Sequence, residues 1–197
     1  MSELYNAVAA QVNDIIQQAK SVIVPVPEGQ STIIKPEVKD LPWMVLAKRE
    51  IGVAEVPGEG NNPRVIWYHS FCTLKATYDS ISWCSAFANA MTLSGGVGGT
   101  RSAAALDWIN KHYGLELKYA MYGCLSIWDW GNGHGHVGFV LESDDDKGLY
   151  ILGGNQLNRK TGKDEVCCKW FPWSLAPVSF KWPKDFPLPE GAEVDNG

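Results

Sequence analysis

The hydrophobic period of the chain changes at Gly114, and that change limits the folds open to it. Upstream, apolar residues recur at helical spacing. Trp83, Phe87, Ala90 and Met91 follow Ile81 in this way, and the pattern ends at Gly95-Gly96. RSAAALDWINKHYG predicts a further helix that stops at Gly114. Earlier, Asp40 stands where it can cap a helix with Pro42 in its first turn, ending before Gly52, and Pro63 starts a short helix in NNPRVIWYHSF. Downstream, LSIWDW, GHVGFVLE, GLYILGGN, EVCCKWF and VSFKW are short apolar or alternating runs separated by Gly, Asp, Asn and Pro. Helices followed by strands predict an α+β domain, with an antiparallel meander packed on the helix that opens at Cys84.

Four regions follow. Residues 1–20 place Leu4, Val8, Val12, Ile15 and Ile16 at helical spacing, so an amphipathic helix is expected. Residues 21–39 carry three prolines and no helical period, and read as an extended linker. Residues 40–186 form the main domain, and residues 187–197 read as a loose acidic tail.

Several functions are excluded by composition. A formal charge of −5 with no basic cluster argues against a nucleic-acid partner, whose phosphates need a concentrated positive face. No apolar run reaches the roughly 18 residues that span a bilayer. The acidic, amphipathic N-terminus is not a secretory signal, so action outside the cytoplasm would need another route. Five cysteines, with Cys167 and Cys168 adjacent and no C-x-x-C, give neither a disulfide framework nor a zinc knuckle. Nine tryptophans suit a core; a group of them in one cleft would suit an extended or sugar-bearing ligand.

Chemistry must then be argued for one cysteine at a time, and Cys84 is the candidate. Ser82 is placed to cap its helix, which puts Cys84 in the first turn, where unpaired N–H groups and the helix dipole favour a thiolate. The Cys84 N–H is also placed to stabilise an oxyanion. Buried cysteines open many helices, so a second residue must decide. His136, at the start of a strand and flanked by glycines, is the candidate general base. His134 shares its face, and an H-x-H pair with Cys84 is a conceivable metal site, but no further ligand falls at matching spacing. A Cys–His pair needs a third group to orient the imidazole, and Asn155 or Gln156 at the end of the next strand is in register to reach His136. GGN is equally a turn sequence, in which Asn155 would shape a loop.

With these residues in order, PWMVLAKREIGVAEVPGEGNNPRVIWYH, SWCSAFANA, GGVGGTRSAAALDW, GHVGFV and LGGNQ resemble phage-type NlpC/CHAP-like proteins of the papain-like cysteine peptidase superfamily. The resemblance runs from about Leu41 to Pro183. It implies a papain-like α+β fold and a peptidoglycan hydrolase cutting an amide in or next to the stem peptide, without a cofactor or metal. Cys84 would be the nucleophile, His136 the base and Asn155 the orienting residue, with Gln156 as fallback. Trp83, Tyr68, Asp79 and His134 are expected to line the cleft. Gly123-Cys124 replaces the Gly-Asp common before the histidine strand, and SIWDWGNGHG is rich in Trp, which suggests an altered rim. The implied partner is bacterial peptidoglycan. The role would be endolysin or delivered antibacterial toxin, the latter implying a cognate immunity protein. The protein would be made in the cytoplasm and reach the wall by lysis or secretion. A catalytically silent module binding wall peptide or a partner protein in the same cleft is the alternative.

Overall fold

A computed structural model describes residues 40–58, 60–110 and 113–196. The expected N-terminal helix and linker lie outside the described residues. Helices α1 (Pro42–Arg49), α2 (Pro63–His69), α3 (Cys84–Ser94) and the single turn α4 (Asp107–Asn110) precede six strands. These are β1 (Leu115–Glu116), β2 (Leu125–Gly131), β3 (His134–Asp144), β4 (Gly148–Asn158), β5 (Lys163–Phe171) and β6 (Ser179–Trp182). They form one antiparallel sheet in the order β1-β6-β2-β3-β4-β5. The α+β expectation holds. The sheet departs from a plain meander because β6 returns to pair with both β1 and β2.

Helix α3 is the centre of the domain. Every residue from Cys84 to Thr92 is buried, as expected of a helix covered on all sides. One side meets the sheet, where the Phe87 and Phe139 rings pack edge to face at 6.1 Å. Its polar side chains are satisfied internally: the Thr92 hydroxyl donates to Ala88 O, and Ser85 Oγ donates to Ser102 O. Asn89 Nδ2 donates to Ser102 O, and Asn89 Oδ1 accepts from the Arg101 N–H. These bonds explain why the helix expected over 101–114 shrinks to α4. Ser85 and Asn89 capture the backbone groups that residues 101–104 would need for helical pairing, and Arg101 is left-handed at φ 56°.

Both caps read from the sequence shift by one residue. The N-cap of α1 is Leu41, because Asp40 instead accepts from the Leu41 N–H, Lys48 and the Tyr122 hydroxyl. The N-cap of α3 is Trp83 rather than Ser82, because tertiary partners hold Trp83 at both its N–H and its ring. The acidic tail is docked rather than loose. Leu117 bridges Val194, and the Asp195 N–H donates to Glu116 O. Most of the tryptophans fill the core: Trp43, Trp83, Trp108, Trp128 and Trp182 are among the largest fully buried side chains.

Candidate active site

Cys84 is the first residue of α3, and its sulfur is surrounded by backbone donors. The N–H groups of Val137, Ser85 and Cys84 itself are its hydrogen-bonding partners. The bond from Val137 brings the thiol against β3 one residue beyond His136. The site is closed: Cys84 is 6% exposed and His136 4% exposed. Burial raises the Cys84 pKa above the ordinary thiol value, outweighing the three N–H groups that favour the thiolate.

His136 lies on the other face of the sheet, away from the Cys84 sulfur. Strand alternation turns Phe139 toward Phe87 of α3, so His136 projects oppositely. There it lies among aromatic rings. Trp130 is parallel to the imidazole at 5.8 Å, Phe171 stacks at 5.7 Å, and Trp128 is tilted at 5.9 Å. Burial, with the Lys169 charge adding to it, pushes the His136 pKa down to about 3, so the ring is neutral at neutral pH. Gln156 lies beside the ring and opposes that shift, but Nε2 has no hydrogen-bond partner. Access beside Gly135, expected to be open to substrate, is filled: a Cβ there would lie 2.4 Å from Trp128 O and 2.9 Å from Leu106.

Asn155 does not orient the histidine. Its Oδ1 accepts from the Trp83 N–H at 3.2 Å, and its Nδ2 donates to Glu55 at 3.0 Å. Glu55 also accepts from the Trp83 indole at 2.7 Å, so the three residues form a clasp on the residue before Cys84. Asn155 is left-handed, φ 56°, at the irregularity where β4 leaves its regular pairing with β5. Gln156, the fallback, is the residue beside the imidazole. Its Nε2 donates to Gly153 O and Cys167 O, and its Oε1 has no partner.

The expected cleft residues separate. Trp83 and Tyr68 are stacked at 5.8 Å in the core, and the Tyr68 hydroxyl donates to Glu50. Asp79 is buried and accepts from the Val56 and Asn62 N–H groups, stapling a loop. All three are enclosed and bonded to protein. His134 is exposed. Glu55, Lys169, Trp130 and Phe171 were not singled out from the sequence; only the Trp-rich stretch SIWDWGNGHG, which contains Trp130, hinted at any of them. Among the described residues, no group of three or more His, Cys, Asp or Glu side chains is placed to hold a metal ion.

Residues 76–155 match the family model described as the CHAP domain, a span running from the loop before α3 to Asn155 on β4. No curated protein and no solved structure matches the chain. The helix-opening cysteine and the strand histidine both fall within the matched span. Over residues 76–155 the chain is therefore similar to the CHAP domain, a kind of domain generally associated with peptidoglycan hydrolase or amidase activity.

Proposed function

We propose that the protein hydrolyses an amide bond in or next to the peptidoglycan stem peptide, with Cys84 as nucleophile and His136 as general base. The observation that carries this reading is the placement of the Cys84 sulfur on the Val137 N–H, next to His136 and inside the CHAP match. Thiol and imidazole are both neutral at rest and lie on opposite faces of β3, so the ring must turn toward the sulfur before it takes the thiol proton as sulfur attacks the carbonyl carbon. The tetrahedral oxyanion takes up the N–H groups of the α3 N-terminus. His136 then protonates the leaving amine, and a water deprotonated by His136 hydrolyses the Cys84 thioester. Substrate entry must first open the aromatic cover of His136, and Trp130, 59% exposed, is its outermost ring.

Mass spectrometry of purified peptidoglycan after incubation tests the reading. Wild type is expected to release a new fragment and Cys84→Ala none; an active, folded Cys84→Ala protein removes the mechanism. The burial of both groups, and the engagement of Asn155 elsewhere, favour a second reading: a silent module that binds wall peptide or a partner protein. Binding to sacculi without fragment release from several wall chemotypes would establish it. Within the hydrolase reading, an endolysin and a delivered toxin differ in route to the wall, and co-purification of an inhibitor seated over Cys84 would point to the toxin and its immunity protein.

A further inference from the structure

A cavity of about 570 Å³ opens at the β4–β5 end of the sheet, on the face that carries His136. Two of its lining residues act on the histidine. Phe171 stacks on the imidazole, and the charge of Lys169 acts on it. Arg159, Lys160 and Lys169 line the cavity, a convergence of positive charge in a protein of net charge −5. None of the three forms an ion pair among the described residues. Glu165, on β5 near this end, is already held by Asn158 and Thr161. Apart from Asn158, the remaining wall is mostly apolar: Leu157 and Leu175, 51% and 55% exposed, stand with Phe171. Exposed leucines beside cations that form no ion pair, one of them lying over the Phe171 ring at 4.9 Å, form a surface that an amphiphilic anion would cover.

We propose that this cavity binds a carboxylate of the wall peptide, its aliphatic part lying against Leu157, Phe171 and Leu175; the inference rests on the peptidoglycan reading above. The cations provide charge-assisted hydrogen bonds to the carboxylate. The apolar wall favours a peptide over a phosphate polymer of the wall, which has no aliphatic side chains to bury there.

Calorimetric titration of the full-length Cys84→Ala protein tests the proposal. The probes are a synthetic stem tetrapeptide as free acid and the same peptide with every carboxylate amidated. The free acid is expected to bind about tenfold or more tighter, the scale of hydrogen bonds to charged groups. Arg159→Ala/Lys160→Ala and Lys169→Gln should each bring that ratio toward one; the first pair is exposed, and thermal melting verifies the fold of both variants. The proposal is overturned if neither peptide binds, if both bind equally, or if the ratio survives in both variants. It is equally overturned if a glycerol-phosphate oligomer binds and the free-acid peptide does not. Fragment release by wild type with a ratio of one removes only this site. A ratio that holds without fragment release removes the hydrolase and leaves a peptide-binding site.

Discussion

At Cys84 two effects oppose each other. Three backbone N–H groups favour the thiolate, burial disfavours it, and burial wins in the closed site. The resting thiol is therefore expected to react slowly with iodoacetamide at pH 7, its rate rising only above the ordinary thiol range. Rapid alkylation of Cys84 at pH 7, read by peptide mass spectrometry, would show an open, activated thiol instead. The Trp130 ring covers the imidazole while remaining half in water. Trp130→Ala should speed modification of His136 by diethyl pyrocarbonate severalfold with little change in melting temperature; an unchanged rate would mean that Trp130 is no cover. Gly154 makes a third test. A Cβ there would lie 2.5 Å from the Trp83 ring and 2.7 Å from Phe87 Cβ, both in the packed core. Gly154→Ala should cost about 1–3 kcal/mol by overpacking, measured by urea denaturation.

Among the elements, the end of β4 and the start of α3 depend on each other. The helix lacks a side-chain cap of its own, and Asn155 supplies a bond to the Trp83 N–H from across the chain. Asn155 also tolerates the left-handed backbone that the turn requires. The two roles separate by substitution. Asn155→Gly loses the side-chain bonds to the Trp83 N–H and to Glu55 but keeps the left-handed backbone, for about 2 kcal/mol. Asn155→Ala adds the left-handed penalty, for a further 1–2 kcal/mol or so. Equal stabilities of the two variants in urea would show that the conformation carries no cost. If the hydrolase reading holds, both variants should also lower fragment release, because the clasp of Asn155, Glu55 and Trp83 positions the nucleophile.

For the whole molecule, the buried histidines set the response to acid. His136 is pushed down to about 3, and burial lowers the pKa of His69, outweighing the opposing backbone bond to Ile81. Both residues bind a proton more readily when unfolded. Stability is thus complete above about pH 6.5 and is lost as pH falls toward the folded-state values. Urea midpoints should drop between pH 7.5 and pH 5, and His69→Phe should flatten the drop; a flat profile in the wild type would contradict the burial of both rings. Much of this molecule was legible in the linear chain. Periodicity, turn residues and proline placement are local signals, so α2, α3, the later strands and the helix-opening position of Cys84 could be read directly. Caps, faces and partners were not legible, because they depend on residues distant in sequence. Ser85 and Asn89 dissolve most of the helix expected over 101–114 by bonding its backbone, and Asn155 is drawn to Trp83 and Glu55 rather than to His136. Residue types and their local spacing name the groups with chemistry to offer; their exposure, neighbours and charge belong to tertiary packing, since desolvation and contact exist only after the chain has closed on itself.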